Sequence, residues 1–165
     1  MKKHTIILIL AIAFNFSANA QNNIKYKTYC NSLYPFCADY PSTILIPQGE
    51  SDSRDGQIFM SKNEQNELRV YREFIDFGND DNELTLKYQF NKQIKARKNK
   101  ITYKKLNQDF FVISGYNAKG QIFYKKTYLF EKDLYTCILT YNVSEKELYN
   151  KIAEHVFKSF KKWVP

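Results

Sequence analysis

Few residues in this 165-residue chain have the types and spacing that chemistry needs. Its two histidines are His4 and His155. If His4 leaves with an N-terminal leader, any serine or cysteine triad with an imidazole base would have to be built on His155. That residue sits between Glu154 and Val156 near the end of an apolar-periodic segment, where a solvent-exposed or core-edge position is expected. Histidine-rich zinc ligation, an HExxH pair and a CxxC pair are all missing from the sequence. Read as a calcium loop, Ser51, Ser53 and Asp55 precede Gly56, but Lys62 stands where the bidentate glutamate belongs, so that motif fails. Asp76, Asp80, Asp81 and Glu83 could surround a hard cation; helix capping and a solvated turn account for them better. Asp76-Phe77-Gly78 matches a kinase tripeptide without the glycine-rich and catalytic loops that would give it meaning. No metal or cofactor is expected. Paired carboxylates of the glycosidase kind could be drawn from any of the 17 Asp and Glu, but none of these sits in a recognisable motif.

Two features remain. The first is charge: Leu84 to Gln108 contains no acid but holds Lys87, Lys92, Lys95, Arg97, Lys98, Lys100, Lys104 and Lys105, with Tyr88 and Tyr103 interleaved. In a cytoplasmic protein such a run would suggest nucleic acid; in an exported one it suggests an anionic partner, or an edge strand guarded by lysines. Lys95, Arg97, Lys98, Lys100, Lys104 and Lys105 are the candidate binding residues. The second is Cys30, Cys37 and Cys137. Seven extended residues would hold Cys30 and Cys37 roughly 23 Å apart. A disulfide between them therefore requires the chain to reverse around Asn31–Tyr34, which Asn31, Ser32 and Pro35 favour. Cys137, inside the apolar alternation Tyr135–Tyr141, is expected as a buried thiol.

The compartment is legible at the N-terminus. Lys2 and Lys3, the apolar run Ile6–Phe14, and Ala18 and Ala20 form a secretory signal over residues 1–20, with cleavage expected before Gln21. Removing twenty residues from 165 leaves 145, which suits a single domain, residues 21–165. Two of the 25 Lys and Arg go with the leader, so the 23 left exceed the 17 Asp and Glu by six. A periplasmic or extracellular monomer without a membrane span is expected.

The elements that position these residues follow from periodicity. Phe110–Phe130 reads as a hairpin, two β-branched and aromatic runs around Asn117-Ala118-Lys119-Gly120, with both faces apolar enough for the middle of a covered sheet. Tyr26–Cys30 and Phe36–Tyr40 read as strands closed by Pro41, Ile44–Asp55 as a loop, and Gln57–Ser61 with Glu67–Ile75 as a second hairpin. Asp80 and Glu83 should open a helix of about four turns whose stripe is Leu86, Phe90 and Ile94, ending in Lys95–Lys100. Ile101–Leu106 and Leu134–Tyr141 add strands. Ser144 with Glu147 reads as a capping box for a final helix carrying Leu148, Ile152, Val156, Phe160 and Trp163 to the end. The expected class is α+β, an antiparallel sheet with two amphipathic helices packed on it as a sandwich.

Tyr29-Cys30-Asn31, Asp39-Tyr40-Pro41, Asp55–Ser61, Glu67–Tyr71, Phe110–Tyr116 and Ile122–Thr127 together resemble small exported bacterial proteins of unassigned function. The order of strands and helices is similar to the PsbP-like fold. That fold is shared by a photosystem II extrinsic subunit, a nuclear import factor that binds a small GTPase, and adaptor proteins of bacterial secretion systems. The resemblance implies a binding module rather than an enzyme, and no functional residue is carried over from it. The expected function is therefore an exported, non-enzymatic module for a protein or an anionic envelope component. The alternative is a small extracytoplasmic hydrolase using paired carboxylates.

Overall fold

The computed structural model describes residues 24–75, 84–96 and 100–162. The leader, the acidic residues Asp76, Asp80, Asp81 and Glu83, the cations Arg97 and Lys98, and Trp163 lie outside the described residues. In chain order the elements are β1 (Tyr26–Cys30), β2 (Phe36–Pro41), β3 (Leu45–Glu50), β4 (Gly56–Ser61), β5 (Glu67–Phe74), α1 (Leu86–Ala96), β6 (Ile101–Leu106), β7 (Phe110–Tyr116), β8 (Ile122–Phe130), β9 (Asp133–Tyr141), α2 (Lys146–Ser159) and β10 (Lys161–Lys162). Strands β3-β4-β5-β9-β8-β7-β6 form a seven-stranded sheet in that order, and β1-β2-β10 a three-stranded one. Every pairing is antiparallel, so the class is α+β. Among the described residues no helix is long and apolar enough to cross a membrane.

Strand alternation divides the large sheet into two faces. Tyr135, Cys137, Leu139 and Tyr141 of β9 share one face with Leu68 and Val70 of β5, and this face packs on Phe36 and Ala38 of β2 and on Tyr149, Ile152, Ala153 and Val156 of α2. The opposite face presents Phe111, Ile113 and Phe123, against which Leu86, Phe90 and Ile94 of α1 pack. The expected stripe of α1 thus points inward, and the hairpin Phe110–Phe130 is covered on both sides. At its turn Gly120 has φ 77°, while Asn117 Oδ1 accepts from the N–H groups of Lys119 and Gln121, each at 2.9 Å.

Four local expectations are corrected. Leu45–Glu50 is an edge strand rather than part of a loop. Its ladder with β4 breaks between Pro47 and Glu50, where Gly49 takes φ 91°, so the residues that look like loop punctuation build an interrupted edge. α1 opens at Leu86 and its first turn carries no acid, while its expected end in Lys95–Lys100 lies partly outside the described residues. The Ser144–Glu147 capping box does not form. The chain enters α2 through a 3₁₀ turn, Val143–Glu145, whose N-cap Asn142 makes no side-chain cap bond. The distant Asn66, 1% exposed, instead accepts from Asn142 N at 3.0 Å and donates to Glu145 at 2.6 Å and to Tyr149 Oη at 3.0 Å. Finally, α2 turns Tyr149 inward and leaves Leu148 exposed, and it stops at Ser159. Phe160 is extended and fully buried, and Lys126 Nζ donates to the carbonyls of Phe157 (2.7 Å) and Phe160 (3.3 Å). A buried cation on the carbonyl end of a helix is electrostatically matched to it.

Candidate functional site

The acid-free segment folds into a helix, a connection and the last strand of the large sheet. With Leu86, Phe90 and Ile94 turned inward, and the Phe90 and Phe111 ring centroids 5.5 Å apart, the outer side of α1 exposes Lys87, Asn91, Lys92 and Lys95. A shallow hollow of about 480 Å³ is lined there by Tyr88, Asn91, Lys92, Lys95 and Ala96, with the Lys92 ammonium 5.9 Å from the Tyr88 ring centre. Lys100 leads into β6, and its carbonyl comes so close to β7 that a Cβ on Gly115 would stand 1.8 Å from it. Only glycine admits that approach.

Strand β6 ends the sheet. Tyr116 N donates to Lys100 O and Asn107 N to Phe110 O, both at 2.8 Å, and these two bonds fix the phase of the ladder. After the register shift between Ile101 and Tyr103, the hydrogen-bonded pairs are Tyr103 with Ser114 and Lys105 with Val112. The N–H and C=O groups of Lys104 and Leu106 are therefore directed away from β7, toward the outside of the sheet.

The structure brings Lys95, Lys100, Lys104 and Lys105 to one end of the large sheet, all exposed. It does not set them on one flat face. Lys104 lies opposite Ile113, on the α1 side; Lys105 lies opposite Val112, on the other. They flank the open edge from both sides, together with Tyr103 (50% exposed) and Leu106 (38% exposed). Arg97 and Lys98 fall outside the described residues.

Cys30 and Cys37 form the expected disulfide, facing each other across the β1–β2 ladder with Cα atoms 4.1 Å apart. In the reversal it closes, Asn31 Oδ1 accepts from Leu33 N (2.9 Å) and Tyr34 N (2.8 Å). A carboxylate that sequence reasoning missed fastens this loop to β3. Glu50 Oε1 accepts from Tyr29 Oη (2.7 Å), Asn31 Nδ2 (3.2 Å) and Ser32 N (3.2 Å), and Oε2 from Ser32 Oγ (2.8 Å). Desolvation opposes ionisation of Glu50. The bonds from Tyr29 and Ser32, with the charge of Arg54, outweigh it and hold the carboxyl below its ordinary value. Desolvation and the same carboxylate push the Tyr29 hydroxyl well up. Cys137 is free and fully buried, and desolvation raises its thiol far above the ordinary range.

Several groups suited to acid–base or nucleophilic work have partners within the fold. His155 Nε2 lies 2.9 Å from Asp39 Oδ2, and its ring stacks 3.7 Å from that of Tyr26. Asp39 also accepts from Thr28 Oγ1 at 2.7 Å. Ser159 Oγ donates to Val156 O at 2.8 Å and accepts from Asp39 N at 2.9 Å, so its proton is not offered to the imidazole. A groove of about 560 Å³ over β4 and β5 is lined by Glu50, Asp55, Glu67 and Arg69. Asp55 accepts from Ser51 Oγ at 2.5 Å and Glu67 is paired with Arg69. The buried polar residues are Asn66, Gln89, Ser114, Lys125, Lys126, Thr127 and Thr136, with no carboxylate among those described. Among the described residues no three His, Cys, Asp or Glu are grouped to hold a metal. A third hollow, about 390 Å³, is walled mainly by Phe36, Tyr128, Phe130, Tyr135 and Phe160, with Lys161 and Lys162 in its lining.

No protein-family model matches the chain, and no curated protein matches it. Among solved structures it is similar to the solution structure of cyanobacterial PsbP (CyanoP) from Synechocystis sp. PCC 6803. The match has a TM-score of 0.57 at 11% identity and covers 89% of this chain and 98% of that one. At that identity the likeness is one of fold.

Proposed function

Taking the PsbP-like fold as the frame, we propose that this chain is an exported, non-enzymatic binding module that engages a protein or an anionic envelope component through the edge at β6. The observation that carries this reading is the setting of Lys100, Lys104 and Lys105 around a strand edge that is unpaired among the described residues and also exposes Tyr103 and Leu106. Cations steer an acidic partner, and partly exposed aromatic and aliphatic side chains give it something to bury against. Export is supported by the leader at residues 1–20 and by the Cys30–Cys37 disulfide, which persists in oxidising compartments. Intact mass of protein from the extracytoplasmic fraction should correspond to a chain starting at Gln21; retention of Met1–Ala20 would contradict export by cleavage.

The hydrolase alternative needs two carboxylates free to exchange protons with a substrate. Glu50, Asp55 and Glu67 in the groove are each held by hydrogen bonds or an ion pair, which favours the binding reading. The test is salt. At physiological ionic strength the Debye length is about 8 Å, so binding to anionic vesicles or acidic proteins should weaken as salt is raised tenfold. It should weaken further in a variant carrying Lys98→Gln, Lys100→Gln and Lys104→Gln. Equal affinities for both proteins, or indifference to salt, would overturn the assignment.

A further inference from the structure

The four outer strands of the two sheets differ in what their edges offer. Edge β3 lacks one donor at Pro47 and is broken by the bulge at Gly49. Edge β1 lies near carboxylates: Thr28 is opposite Asp39, and Tyr29 is bonded to Glu50. Edge β10 has two residues among those described, Lys161 and Lys162. Edge β6 runs six residues without proline or glycine; past its own register shift between Ile101 and Tyr103 the ladder is regular to Leu106, and the polar backbone groups of Lys104 and Leu106 face outward. Lysines on an edge strand deter pairing with a second copy, because like charges would meet across the new ladder. The same lysines favour a strand of opposite charge.

We propose that the outer edge of β6 accepts an extended acidic segment of another protein as an additional strand. This rests on the reading of β6 as the binding edge and names the partner's form. Lys104 and Lys105 project to opposite faces, so carboxylates at successive positions of the added strand would each find a cation. Tyr103 and Leu106 would be covered by its apolar side chains. The backbone of Lys104 and Leu106 would supply the ladder.

The probe is an eight-residue peptide, Val-Glu-Glu-Val repeated, which sets carboxylates at successive positions on opposite faces, beside the same peptide N-methylated at alternate residues so that charge is kept and one row of donors is lost. Binding is measured on the purified protein and on Leu106→Pro. That variant retains every lysine and every N–H that faces β7, and it is compared with Leu106→Ala, which trims the side chain but keeps the outward N–H. The plain peptide should bind, slow amide exchange at Lys104 and Leu106, and lose about tenfold or more in affinity on Leu106→Pro. The peptide methylated on the docking row should bind as poorly to the native protein, an arm that stands even if Leu106→Pro does not fold. Equal binding of plain and methylated peptides, or binding to anionic vesicles without slowed exchange at Lys104 and Leu106, overturns strand addition and leaves the charge-based reading in place. No binding to either peptides or vesicles overturns both.

Discussion

The carboxylate of Glu50 accepts four donors from Tyr29, Asn31 and Ser32, and so joins the disulfide-closed reversal to the edge of the large sheet. Glu50→Gln should lower stability by about 1 kcal/mol at neutral pH, since a neutral amide is a weaker acceptor. Because the folded-state value is depressed, the stabilisation is present above the unfolded glutamate value of about 4.3 and is lost as pH falls through the lower folded value. Denaturation midpoints of the two proteins should therefore converge below about pH 4; a constant gap would show that Glu50 acts only through shape. Cys137 should stay unmodified by an aromatic disulfide reagent at pH 8 until denaturant is added, because burial both blocks access and raises the thiol. Rapid reaction in the folded state would contradict its position. The burial of Cys137 is legible in local alternation. The parts played by Asn66 and Lys126 are not, since their partners lie on elements remote in sequence and nothing local marks a polar residue as a helix clamp.

The first hairpin is the element most dependent on a covalent tie. It contributes Phe36 and Ala38 to the main core and carries the reversal that Glu50 binds. Replacing Cys30 and Cys37 together with serine should cost about 2.5 kcal/mol on the chain-entropy account of so short a loop, measured by chemical denaturation under oxidising conditions. A change near zero would mean that the Glu50 bonds hold the reversal unaided. Elements with a clear period were legible, among them the hairpin around Gly120, the inward stripe of α1 and, at Ile152 and Val156 though not at Leu148, the buried side of α2. Pro47 and Gly49 hid β3, because the residues that interrupt an edge strand are those that usually end one. The end of α2 was hidden as well. Phe160 and Trp163 continue the helical spacing, but Lys126 and Tyr128 bind the Phe160 carbonyl from β8, and the chain turns into β10.

At the scale of the molecule, an excess of positive charge is spread over a chain whose strands pair only antiparallel, and of its acid-free stretches Leu84–Gln108 carries the most cations. The fold class could be read from the order of strand and helix patterns. The sheet order could not: β9, late in the chain, lies at the centre between β5 and β8, and the pairing of remote strands leaves no local mark. The same holds for the site. The lysines are obvious in sequence, but whether they form a flat face or line an edge depends on the register of β6 against β7. The central claim is that the β6 edge makes the contact, and lysine footprinting tests it most directly. The protein is acetylated briefly with and without a saturating acidic partner, and each lysine is quantified by mass spectrometry. The account predicts that Lys95, Lys100, Lys104 and Lys105 lose reactivity while Lys146, Lys151 and Lys158 of α2 keep theirs. Protection centred on Lys161 and Lys162 beside the aromatic hollow, with the β6 lysines unchanged, would contradict it.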